Sequence, residues 1–578
     1  MNYSVSTDEF VTMRDGVALA MNIYRPDSAE PVPALLLRTP YGREQSRLPI
    51  IADISQLVEN GYAVVLQDCR GRFGSGGGFV PHESDGSDGA DTVAWLADQE
   101  WCDGNVGMFG YSYMGFAQWQ AAASGVTGLK AIAPAIASAD FYRAPWYSPG
   151  GALSLSIVRT WSTMVSLAEV SRALVQGSGD PSDLAHLLND LKDSRPKQAA
   201  TPVADLPHVA KYLPWTVDTV LSHPDRDKIW ENLAPLDHAE SITTPALNIG
   251  GWYDLFCGET LHAYTEMKNR GGSAAARTGQ RLIIGPWSHS GTGIFGYYPG
   301  RDFGPTAGAA AAMLTDDYVA FFDRWLRGRT DALDGRAPVR LFVMGVDEWR
   351  EEQDWPLPDT TYIEYYLDGD GPANTAAGAG RLATATPASP ATDTYLYDPR
   401  RPVPSLGGLT ALSGEVDGPA DQRPVHNRDD VLVFTTDVLD EPLEVTGPVS
   451  ATLCVSSSAV DTDFTAKLVD IHPDGRAIIL CEGIQRMRYR ESLSEPRLMT
   501  PGEVYRVKID MIATSNVFLP GHRVAIEISS SSFPRYDRNP NTGGIVAHAL
   551  ESDMVVAVNH VHRGALRPSS VTLPVIKR

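Results

Sequence analysis

Short, almost wholly apolar runs separated by helix-like segments dominate the first 140 residues. A strand-like hairpin at 9–26 is followed by apolar runs at 33–38, 62–68, 106–109 and 129–134. Continuous apolar runs of this length are typical of strands that are buried on both faces. Their alternation with helices predicts an α/β fold with a mostly parallel sheet, in which functional groups gather at the carboxyl ends of the strands.

The pattern changes after residue 139. Helix-like stretches such as 153–168 and 183–191 fill the region 140–237, which has no run typical of a buried strand. We expect this region to be a helical cap that is inserted into the sheet domain. Buried-strand runs then resume, so that residues 1–139 and 238–353 together predict one discontinuous catalytic domain.

Strand patterns dominate the remainder of the chain. The proline-spaced segment 354–359 resembles a linker, and turns such as 473–475 and 520–522 separate the strands that follow it. Many short strands with turn signals between them are typical of a β-sandwich. We therefore predict a second domain at 354–578, a β-sandwich of the jelly-roll type.

Composition narrows the function classes only modestly. The 578 residues carry a formal net charge of −23, which disfavours binding to nucleic acid or to anionic membranes. No apolar run approaches the roughly 20 residues of a membrane helix. The five cysteines are scattered singly, which fits a reducing compartment and predicts a cytoplasmic protein. The oligomeric state stays open, and a homodimer is allowed.

The sequence GYSYMG at 110–115 carries the strongest chemical signal. It follows the strand-like run 106–109 and precedes the helix-like run 116–123, as in a nucleophile elbow. A serine at such a turn projects its hydroxyl above the sheet, although the second glycine lies three residues after Ser112 and not two. The glycine-rich run 71–78 is not interpreted as a phosphate loop, because no Lys-Ser/Thr pair follows it.

Ser112, Asp254 and His289 occur in the order Ser, Asp, His, and each follows a predicted strand. This order is that of the α/β-hydrolase fold. His289 would accept the serine proton, and Asp254 would orient the imidazole and stabilise its cation. The competing histidines His238 and His262 lie at the entry to the sheet or on a helix, where a base is not needed.

Ester or amide hydrolysis also needs hydrogen-bond donors for the oxyanion. The backbone N–H of Tyr113, directly after the nucleophile, is one candidate. The loop after the strand at 33–38 has no glycine run that could present a second N–H, but it contains Tyr41, whose hydroxyl could serve instead.

These features resemble the family of Xaa-Pro dipeptidyl-peptidase-like hydrolases that includes the bacterial cocaine esterases. The likeness spans nearly the whole chain. The stretches that carry it are QDCRG at 67–71, WCDGNVGMFG at 101–110, GWYD at 251–254, GPWSH at 285–289, SSSAVDTDF at 456–464 and NVFLPGHR at 516–523. The family shares the Gly-x-Ser-Tyr-x-Gly elbow, which accounts for the glycine spacing around Ser112.

The resemblance implies an α/β-hydrolase domain, a helical cap and a C-terminal jelly roll, with the triad and oxyanion donors named above. It also implies an aromatic acyl pocket, to which Trp146, Trp161 and Phe256 correspond. Two segments depart from the family pattern. They are the loop 42–46 and the stretch 408–413, which lacks an expected aromatic residue at the pocket wall.

The sequence thus predicts a serine carboxylesterase that acts on small-molecule esters with a benzoyl-like acyl group. An amidase, an acylase or an Xaa-Pro dipeptidyl peptidase with the same triad is the alternative, and a non-catalytic protein that binds through its β-sandwich is the alternative of another class. No cofactor is expected. The carboxylates Asp461, Asp463, Asp470 and Asp474 lack EF-hand spacing, and we interpret them as solvated strand ends with no metal.

Overall fold

The structure is a computed structural model that describes residues 3–47, 51–192, 194–289, 293–409, 411–412 and 417–578. Ten strands form the first sheet and two more form a small hairpin beside it. These twelve are β1 (Tyr3–Thr12), β2 (Ala18–Pro26), β3 (Val32–Thr39), β4 (Ala63–Asp68), β5 (Cys102–Tyr111), β6 (Leu129–Ala135), β7 (Leu247–Tyr253), β8 (Arg281–Ser288), β9 (Tyr297–Tyr298), β10 (Arg301–Asp302), β11 (Val339–Val343) and β12 (Glu348–Glu352).

The order in the large sheet is β1-β2-β4-β3-β5-β6-β7-β8-β11-β12. The strands from β4 to β11 in this order run parallel, and antiparallel strands close both edges. Strand β3 shows why the buried runs are continuous. Leu35 and Leu37 belong to the core on one face, and Leu36 belongs to the core on the other. Because these strands are parallel, the carboxyl ends of β5, β7 and β8 lie along the same edge of the sheet.

The α-helices cover this sheet and build the inserted region. They are α1 (Ile54–Glu59), α2 (Asp85–Ala97), α3 (Tyr113–Ala123), α4 (Leu155–Val175), α5 (Pro181–Lys192), α6 (Ser194–Ala199), α7 (Pro207–Tyr212), α8 (Lys228–Glu231), α9 (Cys257–Arg270), α10 (Ala274–Thr278), α11 (Leu314–Leu326) and α12 (Arg423–His426). Helices α4 to α8 lie between β6 and β7, where the cap was predicted. Within the described part of the chain, no helix has the length and apolar character needed to cross a lipid bilayer.

The C-terminal region is mostly β. Its strands are β13 (Thr361–Asp368), β14 (Arg381–Ala383), β15 (Ala391–Tyr397), β16 (Leu432–Thr435), β17 (Leu443–Ser457), β18 (Asp463–Ile471), β19 (Ala477–Arg486), β20 (Tyr505–Phe518), β21 (Arg523–Ser529), β22 (Ala557–Arg563) and β23 (Ser570–Ile576). Ten of them follow one another in a sheet, and β20 pairs with β17. The predicted fold class is confirmed at this level. The exact domain boundaries and the jelly-roll topology stay predictions.

The C-terminal region packs directly on both other parts of the chain. The Tyr253 hydroxyl, at the end of β7, donates to the carbonyl of Ile479 at 3.2 Å. Gly150, in the inserted region, accepts from the backbone N–H of Arg486 at 3.0 Å. The segment predicted as a linker is also packed, since Trp355 and Leu357 are buried in the core shared by the two sheets.

Candidate active site

The serine predicted as the nucleophile lies at the sharp turn from β5 to α3. Its backbone has φ 57° and ψ −129°, a conformation that residues other than glycine rarely adopt. Such a conformation costs of order 1–3 kcal/mol and persists only where the surroundings impose it. The turn therefore holds Ser112 above the carboxyl edge of the sheet, at the amino end of a helix.

Two glycines make this turn sterically possible. A side chain at Gly110, which has φ 131°, would place its Cβ 2.8 Å from the Cβ of Met114. At Gly115, on the first turn of α3, a Cβ would lie 2.3 Å from the Cβ of Ala137. The second glycine is thus required by the packing of α3 against the chain after β6, which explains its displaced position relative to Ser112.

The three residues of the predicted triad form a continuous hydrogen-bonded line. Ser112 Oγ lies 3.0 Å from His289 Nε2, and His289 Nδ1 lies 2.8 Å from Asp254 Oδ2. Asp254 is fully buried, and its other oxygen accepts from the backbone N–H of Phe256 at 2.7 Å. An ionised carboxylate can only accept, so Nδ1 carries the imidazole proton and Nε2 is left to accept from the serine hydroxyl.

The two predicted oxyanion donors lie beside this line. Tyr113 is the first residue of α3, so its backbone N–H has no partner within the helix. The Tyr41 hydroxyl accepts a hydrogen bond from Trp161 Nε1 at 2.9 Å. Since an indole N–H can only donate, the hydroxyl proton of Tyr41 stays available for another acceptor. Burial raises the pKa of Tyr41 to about 12, which keeps that proton on the oxygen.

The loop that carries Tyr41 is fixed by buried arginines. Arg72, from the glycine-rich segment, donates through Nε to the carbonyl of Pro40 at 2.8 Å and pairs with Glu169 on α4. On the other side of the loop, the backbone N–H of Arg43 donates to Asp68 at 2.7 Å. The glycine-rich run therefore supports the loop that carries Tyr41. The segment 42–46, which departs from the family pattern, contributes to this support through Arg43.

An aromatic cleft lies over the serine. It is lined by Tyr41, His82, Ser112, Tyr113, Phe141, Pro145, Trp146, Ile157, Trp161, Leu255, Phe256, His289 and Leu412. All three residues predicted for the acyl pocket, Trp146, Trp161 and Phe256, are among them. In the divergent stretch 408–413, Leu412 reaches the wall, while Thr410 and Ser413 lie outside the described residues.

Comparisons with known proteins identify the family of the chain. Residues 15–291 match the model of the X-Pro dipeptidyl-peptidase (S15) family, and residues 331–572 match that of the X-Pro dipeptidyl-peptidase C-terminal non-catalytic domain. Over its whole length the chain is 52% identical to a cocaine esterase from Rhodococcus sp. (strain MB1 Bresler), covering 99% of that protein. The chain belongs to the S15 family of hydrolases. It is a serine ester hydrolase, as the sequence predicted.

Solved structures of similar proteins share the complete architecture of this S15 hydrolase. An α-amino acid ester hydrolase is 26% identical with a TM-score of 0.79, and the match covers 99% of this chain and 96% of that one. An aminopeptidase from a marine sediment archaeon, Thaumarchaeota archaeon, is 25% identical with a TM-score of 0.79, covering 100% and 97%. The same scaffold therefore occurs among proteins named for ester and for peptide substrates.

Sequence reasoning missed one polar residue of the cleft. His82 lies between the glycine-rich run and α2, and its side chain is buried among aromatic rings. The two competing histidines that were weighed, His238 and His262, are not among the residues that line the cleft. A signal was present, since His82 lies three residues before α2, in the segment that precedes the elbow strand of the S15 hydrolase.

Two groups of possible metal ligands lie away from the cleft of the S15 hydrolase. In each group three ligand atoms lie within 4.8 Å of one another, namely those of Asp183, His186 and His208 and those of Asp470, His472 and His522. In the first group Lys211 Nζ lies 2.6 Å from Asp183 Oδ2. In the second group His522 Nδ1 lies 2.8 Å from Asp470 Oδ1. No member of either group is among the residues that line the cleft.

The interpretation of the β-domain carboxylates as solvated strand ends is wrong for three of the four. Asp461, Asp463 and Asp470 are buried. Asp463 lies 2.9 Å from Arg486 and Asp461 lies 2.8 Å from Arg488, so arginine partners compensate these charges. The sequence pattern missed this because the partners are distant along the chain.

Proposed function

We propose that this chain hydrolyses carboxylic esters with an aromatic acyl group through an acyl-enzyme on Ser112. The hydrogen-bonded line from Ser112 through His289 to Asp254, opening into an aromatic cleft, is the observation that carries the proposal. The floor of the site holds a weak nucleophile, a base and a carboxylate that orients the base. The walls of the site suit a flat, apolar ring.

In the first half of the reaction, Ser112 Oγ attacks the ester carbonyl carbon and its proton passes to His289 Nε2. The negative charge that develops on the carbonyl oxygen is stabilised by the hydroxyl of Tyr41 and the N–H of Tyr113. The resulting imidazolium is stabilised by Asp254. It then gives its proton to the leaving alkoxide, so that an alcohol departs and the acyl group remains on the serine.

The second half repeats these roles with water as the nucleophile. His289 accepts a proton from water as the water attacks the acyl carbonyl, and the two donors stabilise the oxyanion again. Collapse of this intermediate breaks the bond to Ser112 Oγ, which takes the proton back from His289. The carboxylic acid leaves, and the free serine is restored.

The cleft walls support the aromatic acyl preference. The rings of Trp146 and Trp161 pack edge to face with centroids 5.3 Å apart, and Phe256 packs against His289 at 5.3 Å. Leu412, from the stretch 408–413 that lacks the expected aromatic residue, lies on the cleft wall and adds to its apolar surface. The cocaine esterase name of the Rhodococcus relative agrees with an ester substrate of this kind.

A dipeptidyl peptidase is less well supported. Such an enzyme must bind a substrate ammonium, and the candidate carboxylates of the inserted region already have partners. Glu169 pairs with Arg72 and Arg172, and Asp183 pairs with Lys211. No carboxylate side chain is among the described residues that line the cleft. The same triad could also cleave an amide bond, so amide hydrolysis is the second candidate function.

Steady-state kinetics on two chromogenic substrates test the proposal. We expect p-nitrophenyl benzoate to be hydrolysed with kcat/KM far above that of an Xaa-Pro p-nitroanilide. Replacing Ser112 with Ala should abolish both activities. Activity on the anilide alone would favour the peptidase. No turnover on any ester, together with ligand binding by the β-domain, would favour a binding protein.

The remaining expectations concern the setting of the enzyme. We propose a small-molecule ester as the partner, no nucleic acid or membrane partner, and a cytoplasmic location, with a homodimer as an allowed state. The net charge of −23 supports the expectation that neither nucleic acid nor an anionic membrane is a partner. All five cysteines are buried and unpaired, which agrees with a reducing compartment.

A further inference from the structure

One histidine of the cleft has no assigned role in the reaction. His82 is 2% exposed and lines the cleft together with Ser112. Neither of its ring nitrogens has a hydrogen-bond partner among the described residues. A buried polar group without a partner is costly, and in native structures it calls for a specific explanation.

Aromatic rings surround His82. Tyr113 stacks on the imidazole with centroids 4.4 Å apart, and Phe141 lies at 3.8 Å. Phe116 and Trp215 approach it edge to face at 4.8 and 5.7 Å. These apolar neighbours offer the ring nitrogens no acceptor or donor, and the burial they impose holds the pKa of His82 well below its usual range. The imidazole is therefore neutral at physiological pH.

A carboxyl group lies on the Nδ1 side of His82. The Nδ1 atom is 3.9 Å from Asp85 Oδ2, and an acceptor on this side of the ring favours a proton on Nδ1. The backbone N–H of His82 also donates to the Tyr113 hydroxyl at 2.9 Å, which fixes the position of the residue. The Nε2 atom is left with a lone pair, and it can only accept a hydrogen bond.

We propose that His82 Nε2 accepts a hydrogen bond from a hydroxyl or amino substituent on the aromatic acyl group of the substrate. This inference rests on the function proposed above and narrows its substrate class to ring-substituted benzoyl-type esters. The ring enters the apolar cleft, and the substituent at its edge satisfies a nitrogen that the protein itself leaves without a partner. Esters that lack the donor leave that nitrogen unsatisfied and are poorer substrates.

A second polar atom of the cleft supports a polar substituent. Trp146 Nε1 is also buried without a hydrogen-bond partner among the described residues, and Trp146 and His82 both pack against Trp215. An indole N–H can donate to an oxygen atom. A hydroxyl group can donate to one partner and accept from another, so it suits a cleft that offers both kinds of group.

Paired esters of equal size test the inference in the wild-type enzyme. Methyl 3- and 4-hydroxybenzoate are compared with methyl 3- and 4-methylbenzoate. The kcat/KM values are measured at neutral pH, where the phenols keep their protons and a hydroxyl and a methyl substituent differ little in their electronic effect on the ester carbonyl. We expect at least one hydroxyl ester to be preferred over its methyl partner by about ten- to a hundredfold. A ratio of about one for both pairs would overturn the inference.

Two variants connect the preference to the imidazole. In His82→Phe the ring shape is kept and the acceptor is lost, so the hydroxyl-to-methyl ratio should fall to about one. In His82→Gln an amide oxygen can still accept, so part of the preference should return. The ratio within one variant does not depend on its overall activity. A wild-type ratio that persists in His82→Phe would contradict the assignment.

A binding measurement tests the inference if a His82 variant does not fold. In the Ser112→Ala protein, 4-hydroxybenzoate should quench tryptophan fluorescence at a lower concentration than 4-methylbenzoate does. Equal affinities for the two acids, with 3-hydroxybenzoate also equal to 3-methylbenzoate, would overturn the inference. Failure of the proposed function would give a different result, because the wild-type enzyme would then hydrolyse none of the four aromatic esters.

Discussion

At the scale of single residues, the Tyr41 hydroxyl shows how one contact can set a catalytic orientation. Trp161 donates to this oxygen, so the hydroxyl proton is left to point at a developing oxyanion. Trp161 would thus have two roles, as a wall of the acyl pocket and as the residue that positions the donor. The resemblance implied only the first role, because the second depends on a contact between the cap and the sheet domain.

Replacing Tyr41 with Phe should lower kcat for p-nitrophenyl benzoate by about 10²- to 10³-fold, because one oxyanion donor is lost. Trp161→Phe keeps an aromatic wall but removes the indole N–H, so it should lower kcat more than it raises KM. Steady-state kinetics on both variants check this. A Trp161→Phe enzyme with raised KM and wild-type kcat would show that Trp161 acts only as a wall.

The raised pKa of Tyr41 gives a prediction about pH. With a pKa of about 12, the hydroxyl keeps its proton and remains a donor throughout the range from pH 7 to pH 10. The ratio of wild-type kcat to Tyr41→Phe kcat should therefore be constant over this range. Measuring both enzymes at each pH gives the ratio directly, and a steady decline towards pH 10 would mean that Tyr41 ionises earlier.

At the scale of elements, the elbow depends on close packing between α3 and the chain that follows β6. A Cβ at Gly115 would lie 2.3 Å from the Cβ of Ala137, and neither atom can move without moving backbone. This close approach lies on the first turn of the helix that follows Ser112. Position 115 therefore matters for the elbow although it lies outside the usual glycine spacing.

Gly115→Ala should destabilise the protein by about 1–3 kcal/mol, as expected for overpacking in a well-packed core. It should also lower kcat, because α3 carries the Tyr113 N–H. Gly78→Ala is the matched control, since a Cβ there meets no atom within 4 Å. Thermal unfolding and esterase assays compare the two variants. Equal melting temperatures would contradict the role of this contact.

The sheet and the order of the triad could be predicted from the sequence because both depend on local patterns. Runs such as 62–68 and 129–134 coincide closely with β4 and β6. Long-range contacts could not be predicted in this way. The pairing of Arg72 with Glu169, and the place of His82 among aromatic rings, join segments that no local pattern connects.

At the scale of the whole molecule, the three parts of the chain contact one another directly. Gly150, in the inserted region, lies so close to β19 that a Cβ would be 2.0 Å from the carbonyl oxygen of Ile484. This contact follows Trp146 by only four residues. The C-terminal region therefore supports the part of the cap that forms the acyl pocket.

Gly150→Ala should lower both the melting temperature and kcat/KM for p-nitrophenyl benzoate, because it separates the cap from the β-domain next to the pocket. Gly544→Ala is the control, since the nearest atom to its Cβ is the Thr542 hydroxyl at an ordinary 3.8 Å. Calorimetry and kinetics follow both variants. A Gly150→Ala enzyme as active and stable as the control would mean that the two regions are independent.

The central claim for the whole enzyme is that the acyl group passes through Ser112. Rapid acid quenching of wild-type enzyme during turnover of p-nitrophenyl benzoate, followed by peptide mass spectrometry, tests it most directly. We predict a benzoyl group on the peptide that contains Ser112, and none in the Ser112→Ala protein. A benzoyl group on another residue, or undiminished turnover by Ser112→Ala, would contradict the account.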